Sequence, residues 1–186
     1  MAEAQLSRQE LQALRNRRAG LAIFQASWIL VFICLIVVNL WMRGLSTAWP
    51  PPGVQPLSAL LPTALTAMLI ISSFTARRGL RAIKADNHAG FVRSWGITLL
   101  LAVVFVVGMI FEWVNVPFSG QYSNVFRLMV GFHAVHAIAI AIYMWRVFRQ
   151  ADEYGALNFW PVEGGASLWY FVTVAWMLFY AVLYLI

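Results

Sequence analysis

Two histidines, His133 and His136, lie inside an apolar segment of the chain. They are three residues apart, so their side chains lie on one face of a helix. An imidazole within a hydrocarbon layer is energetically costly, and such residues are candidates for function. A metal needs three or four ligands, and the third histidine, His88, lies in a basic loop. We therefore predict that both imidazoles hydrogen-bond to another helix or to a lipid headgroup, and that they ligate neither a metal nor a haem.

Three charged residues lie at the ends of apolar segments. Glu112 ends the third segment and Arg127 opens the fourth. These two are expected to pair across the connecting loop, where an exposed pair contributes about 0–1 kcal/mol. Glu163 begins the fifth segment, where a carboxylate complements the positive end of a helix dipole. The sequence contains no nucleophile triad, glycine-rich phosphate loop or paired carboxylates, so no catalytic residue is predicted.

The composition predicts that these residues belong to an integral membrane protein. The chain of 186 residues is 62% hydrophobic and 11% charged, whereas soluble domains carry about 25% charged residues. Five segments without Asp, Glu, Lys or Arg are long enough to span a bilayer as helices. These predicted spans are 19–42, 57–76, 94–111, 128–145 and 164–186. The fold class is therefore an all-α integral membrane protein, a bundle of five transmembrane helices in a single domain of residues 1–186.

Basic residues are sorted between the two sides of these spans. Four lie in the N-terminal segment 1–18, five in the loop after the second span and two in the loop after the fourth. Only Arg43 and Arg127 fall on the other side. The positive-inside rule then places the N-terminus in the cytoplasm and the C-terminus outside. Residues 1–18 form either a short surface helix or a frayed tail on the cytoplasmic side.

Four motifs follow one another along the chain. They are Leu69–Thr75, Thr98–Trp113, Gly131–His136 and Glu163–Trp176. In this order they resemble the haem–copper (cytochrome c) oxidase subunit III family, in its short five-helix bacterial form. The resemblance covers about residues 20–186.

Three positions depart from the pattern of that family. Trp28 stands where a membrane-embedded Glu is usual, Tyr170 where His is usual, and Thr173 where Asp is usual. The third helix also lacks the usual Gln ahead of Glu112. The chain therefore resembles a divergent member in which polar groups within the membrane are replaced, and the roles that the family assigns to those groups are not carried over.

The resemblance implies a non-catalytic accessory subunit of a terminal oxidase in aerobic respiration, in a bacterial inner membrane. Such a subunit binds no redox cofactor, and its partner, the catalytic subunit I, holds haem and copper. The implied role is to stabilise that subunit and its cytoplasmic proton-uptake side, together with bound phospholipid and other oxidase or supercomplex subunits. The residues expected to make polar contacts with lipid or between helices are His133, His136, Glu112, Glu163, Arg127, Trp169 and Trp176.

Two alternatives remain open from the sequence. A related accessory protein of nitric oxide reductase shares this fold. A stand-alone transporter or quinone-binding enzyme would need polar residues along a path through the membrane, and the spans offer few. Haem type and electron donor are not predicted.

Overall fold

A computed structural model describes residues 6–117 and 120–186, and in this part of the chain all regular elements are helical. Five helices are long and apolar enough to cross a membrane, which confirms the predicted fold class. Their bounds are α1 Arg8–Leu45, α2 Leu60–Ile83, α3 His88–Asn115, α4 Gln121–Arg149 and α5 Trp160–Tyr180. A 3₁₀ turn, Ala151–Glu153, follows α4, and a π-helical turn, Ala181–Leu185, continues α5.

The N-terminal polar segment is part of the first long helix. Helix α1 begins at Arg8 and runs without interruption into the first apolar segment, so the separate short helix and the frayed tail are both wrong for residues 8–18. A capping box explains the start. Glu10 N–H donates to Ser7 Oγ at 3.3 Å, and Ser7 N–H donates to Glu10 Oε2 at 2.8 Å, which satisfies two of the unpaired groups of the first turn. The limits of the spans within the bilayer stay predictions.

A tight turn makes α2 and α3 antiparallel neighbours. Asn87 caps α3 by accepting a hydrogen bond from Gly90 N–H at 2.8 Å. Asp86, with a positive φ of 53°, accepts a hydrogen bond from Ala156 N–H at 2.7 Å. The turn is therefore tied to the loop between α4 and α5, and both lie at the same end of the bundle.

Helices α2, α3, α4 and α5 pack around one core, and α1 packs mainly against α5 at the edge. The core includes the fully buried Trp95, Trp169 and Trp176. Trp95 fits because its neighbours are small. A Cβ atom added at Gly79 would lie 3.1 Å from Trp95 Cε3, and one added at Gly165 would lie 3.2 Å from Trp95 Cζ2. The glycines therefore allow α2 and α5 to approach the indole of α3.

Candidate functional site

An ion cluster joins three separate segments at one end of the bundle. It consists of Arg18 on α1, Lys84 after α2 and Glu163 in the first turn of α5, and is named here the Glu163 cluster. Arg18 Nε lies 2.7 Å from Glu163 Oε1 and its Nη2 donates to Oε2 at 3.0 Å, while Lys84 Nζ lies 2.9 Å from Oε2. Lys84 Nζ also lies 4.3 Å from the centroid of the Phe159 ring. This end is the one that carries most of the basic residues.

The cluster is partly shielded from solvent. The side-chain exposure is 17% for Glu163, 27% for Lys84 and 36% for Arg18. Opposite charges gain more from pairing as water is excluded, because the effective dielectric constant falls. Glu163 was predicted from the sequence as a helix start and as a polar contact with lipid or between helices, and the structure adds its two cationic partners. Neither partner was signalled by the sequence, since Arg18 is 145 residues away from Glu163.

Hydroxyl groups on α2 accept hydrogen bonds from the indoles of α5. Trp169 Nε1 donates to Ser72 Oγ at 2.8 Å, and Trp176 Nε1 donates to Thr66 Oγ1 at 2.8 Å. An indole N–H is a donor without acceptor capacity, and a buried one without an acceptor is costly. Both tryptophans, which were singled out by the family motif, therefore make polar contacts between helices in addition to filling the core.

Further hydrogen bonds join three pairs of helices: α2 to α3, α2 to α5, and α3 to α4. Thr75 and Thr98 share a hydrogen bond of 2.7 Å, and Ser73 shares one of 2.7 Å with Thr173. Trp95 Nε1 donates to the Met144 carbonyl at 3.1 Å. Thr66 and Trp95 were not among the residues that the sequence singled out. A buried indole N–H needs an acceptor, and this need is visible in the sequence. Which acceptor the indole meets depends on how the helices are rotated.

His133 lies at the centre of an aromatic cage. It is fully buried, and its ring centroid lies 5.4 Å from that of Trp176 and 6.0 Å from those of Phe32 and Phe105. Neither ring nitrogen has a hydrogen-bond partner in the described part of the chain. The expected hydrogen bond from His133 to another helix is therefore not observed there, and the imidazole fills space like an aromatic ring.

His136 packs against α1 through an indole. Its Nδ1 lies 2.6 Å from the Phe132 carbonyl oxygen of the same helix. Its ring centroid lies 4.4 Å from that of Trp28, in an edge-on arrangement. Trp28 is one of the three departures from the pattern that the sequence resembles, and it gives His136 an aromatic neighbour. The contact fastens α1 to α4.

The other two departures have different surroundings. Thr173 donates to the Trp169 carbonyl at 3.0 Å in addition to its contact with Ser73. The hydroxyl oxygen of Tyr170 is buried without a hydrogen-bond partner among residues 6–117 and 120–186. Thr173 thus keeps a polar role between α2 and α5, whereas the Tyr170 hydroxyl adds no link between helices.

Glu112 and Arg127 lie at the opposite end of the bundle. Arg127 Nη2 donates to the Val116 carbonyl at 2.9 Å, and Trp113 Nε1 donates to the Arg127 carbonyl at 2.9 Å. Glu112 lies beside the Tyr184 hydroxyl. The ion pair expected between Glu112 and Arg127 is not among the ion pairs of the described residues. Backbone carbonyls thus hold the Arg127 side chain against the end of α3.

The described residues contain no group of three or more His, Cys, Asp or Glu side chains that could hold a metal ion. Comparison with known proteins then decides the family. A family model described as "Cytochrome c oxidase subunit III" matches residues 2–186. The chain belongs to the cytochrome c oxidase subunit III family. The resemblance inferred from the four motifs is confirmed.

Individual relatives agree with the family match. Cytochrome c oxidase subunit 3 of Thermostichus vulcanus is 32% identical over 177 residues, covering 91% of this chain and 87% of the relative. The protein of the same name from Synechocystis sp. is 29% identical, covering 91% of this chain and 76% of the relative. A probable cytochrome c oxidase subunit 3 of Mycobacterium tuberculosis is 31% identical over 150 residues, covering 74% of this chain and 71% of the relative.

As a subunit III, the chain is a non-catalytic accessory subunit of a haem–copper oxidase and a multi-pass membrane protein that associates with other oxidase subunits. Subunit III of cytochrome c oxidase carries no metal site of its own. The alternatives of a nitric oxide reductase accessory protein and of a stand-alone transporter are not favoured.

Proposed function

We propose that this subunit III stabilises the catalytic subunit I of its oxidase and the cytoplasmic entrance of the proton-uptake path, in the inner membrane of a bacterium. The observation that carries the proposal is the division of the chain into a hydrogen-bonded interior and an apolar exterior. Inside, indoles and hydroxyl groups link α2 to α3 and α5. Outside, large apolar side chains of α1, α3 and α4 are exposed, which suits contact with lipid and with a neighbouring membrane subunit.

The Glu163 cluster supports a structural role at the basic end. Its three residues come from α1, α5 and the turn after α2, so a single carboxylate holds together the elements that surround that end. The positive-inside rule assigns this end to the cytoplasm. A rigid, positively charged surface there can hold the adjacent surface of the catalytic subunit in place while protons enter.

Phospholipid is part of the proposal. Basic residues near a membrane surface attract anionic lipids by about 1 kcal/mol for each Lys or Arg, and several arginines at the basic end are exposed, among them Arg77 and Arg78 on α2. A layer of bound lipid between this subunit and its neighbours would exclude water from the contact. The imidazoles of His133 and His136 would contribute to this role from inside the bundle, by ordering α4 and its aromatic neighbours.

Purification of the tagged chain in a mild detergent tests the association. We expect a haem–copper catalytic subunit to co-purify, identified by the optical spectrum of its haems and by mass spectrometry. Recovery of the chain without haem and without a catalytic subunit would contradict the proposal.

Loss of the chain tests the role. An oxidase purified from cells that lack this gene is expected to begin turnover with intact haem spectra and then to lose activity faster than the complete complex. Re-expression of the chain provides the control. Equal time courses with and without the chain would show that it does not protect the catalytic subunit.

A further inference from the structure

Helix α1 contacts the rest of the bundle through a narrow seam. In its most apolar window only 6% of the residues are buried, compared with 28–44% in the other four spans. The side chains of α1 that are buried or half-buried recur at alternating intervals of three and four residues, which is the spacing of a heptad seam. Within the apolar part of the helix they include Leu21, Gln25, Trp28, Phe32, Leu35, Asn39 and Met42.

An apolar heptad seam does not by itself define the depth of a helix in a membrane. Lipid tails are as apolar as leucine side chains, so apolar burial favours no particular position of one helix along another. A slide of one turn, about 5.4 Å, would bring other apolar side chains of α1 against α5. In heptad seams a polar residue at a core position is the feature that selects one register over the others.

Gln25 is the polar residue of the seam that meets α5. Its Nε2 donates to the Ser167 carbonyl at 3.0 Å, and Ser167 Oγ donates to Gln25 Oε1 at 3.3 Å. This reciprocal contact is named here the Gln25 clasp. A slide of one turn would break both hydrogen bonds and leave a primary amide within hydrocarbon, where an unpaired polar group is costly. Asn39 provides no comparable contact through its Oδ1, which is buried without a partner among the described residues.

The two ends of α1 meet α5 at the same depth as the clasp. Arg18 pairs with Glu163 at the basic end, and Arg43 Nη2 donates to the Ile186 carbonyl at the opposite end. The residues joined in the three contacts are 145, 142 and 143 positions apart, so α1 and α5 run parallel without slipping. Water competes for the end contacts, which are partly or fully exposed, and weakens them. The clasp lies inside the predicted span 19–42, where no water competes.

We propose that the Gln25 amide fixes the depth of α1 against α5 and thereby brings Arg18 to Glu163. Gln25 is thus a positioning residue for the Glu163 cluster, although it touches none of the three residues of the cluster through a hydrogen bond of its own. The aromatic contacts of Trp28 and Phe32 add packing to the seam, while the amide selects the register. The inference does not depend on which subunit the chain protects.

Distances between spin labels on the full chain test the depth of α1. Labels are attached to cysteines introduced at the exposed Arg15 on α1 and Leu157 before α5, and the exposed natural Cys34 is replaced by Ser. We expect one distance in this parent chain. Gln25→Met keeps the length of the side chain and removes its hydrogen bonds, so a second distance should appear, shifted by up to about 5 Å, one helical turn. The same single distance in Gln25→Met as in the parent would overturn the proposal.

Two further variants serve as controls in the same measurement. Ser27→Ala removes another hydroxyl of α1, one that donates only to the Phe24 carbonyl of its own helix, and should keep the single distance. Ser167→Ala should also keep it, because the carbonyl that accepts from Gln25 belongs to the backbone. A second distance in Ser27→Ala as large as in Gln25→Met would overturn the assignment to the amide.

The coupling between Arg18 and Glu163 tests the consequence of the depth. A double-mutant cycle of Arg18→Gln and Glu163→Gln is measured in the parent and again in the Gln25→Met background. We expect most of the coupling to be lost in that background, although the variant leaves both charged residues in place. Gln25→Leu provides a second apolar variant with the same expectation, should the first not fold. An undiminished coupling in a folded variant would overturn the proposal, because packing alone would then set the depth.

Discussion

Neutralising Glu163 should loosen the basic end of the bundle. The substitution Glu163→Gln keeps the size of the side chain and removes its charge. Arg18 and Lys84 then face each other without the anion that lies 2.7 Å and 2.9 Å from them. The bonds from α1 and from the end of α2 to α5 are weakened together, because all of them end on the same carboxylate.

The expected magnitude lies between two limits. A hydrogen bond to a charged group contributes about 1.5–3 kcal/mol to stability, and an exposed surface pair contributes about 0–1 kcal/mol. Glu163 is mostly buried and Arg18 is about one-third exposed, so we expect a coupling of about 1–2 kcal/mol between them. The single substitution of Glu163 should cost about 2–3 kcal/mol, because it also leaves two cations close together.

A double-mutant cycle of Arg18→Gln and Glu163→Gln measures this coupling. The purified chain in detergent micelles is unfolded with SDS, and the fluorescence of its nine tryptophans reports unfolding. Arg15→Gln serves as the control, since Arg15 is exposed on the same helix, and it should cost less than about 0.5 kcal/mol. A coupling below about 0.3 kcal/mol would refute the reasoning, since the cluster would then behave as a solvated surface pair.

Three further predictions follow from the interior and from the charge distribution. Ser72→Ala removes the acceptor of a buried indole N–H and should cost about 1–3 kcal/mol of stability in the same SDS titration. The control Ser27→Ala, on the exposed face of α1, should cost little. Equal losses of stability in the two variants would contradict the hydrogen-bond argument. His133→Phe should change the free energy of unfolding by no more than about 1 kcal/mol, because neither imidazole nitrogen has a partner in the described part of the chain. His133→Ala leaves a cavity, so it should cost about 2–4 kcal/mol and loosen assembly of the oxidase without changing the haem spectra. A Phe variant as destabilised as the Ala variant would point to a polar role for this ring. In a cysteine-free background, Gly53→Cys should react with a membrane-impermeant maleimide added to spheroplasts and Arg15→Cys should not, and the reverse pattern would invert the predicted topology.

The membrane class, the five helices and the family could be predicted from the sequence, because each depends on properties that are local in the chain. Uncharged apolar runs of sufficient length predict helices in a membrane regardless of how they pack. The four motifs lie on successive helices in their usual order, and the family match over residues 2–186 agrees with them. The start of α1 was missed, although Ser7 and Glu10 at capping-box spacing signal it.

The partners of the polar side chains were decided by the tertiary structure. The sequence singled out Glu163, but its salt bridge to Arg18 joins residues 145 positions apart. It singled out His133 and predicted a hydrogen bond, and the packing of α4 surrounds both nitrogens with aromatic rings instead. Whether a buried polar group meets an acceptor depends on the rotation and depth of the facing helices. The rotation and depth of each helix are set by the packing of the whole bundle, for example by the fit of Trp95 between two glycines. The sequence of a single segment does not contain this packing.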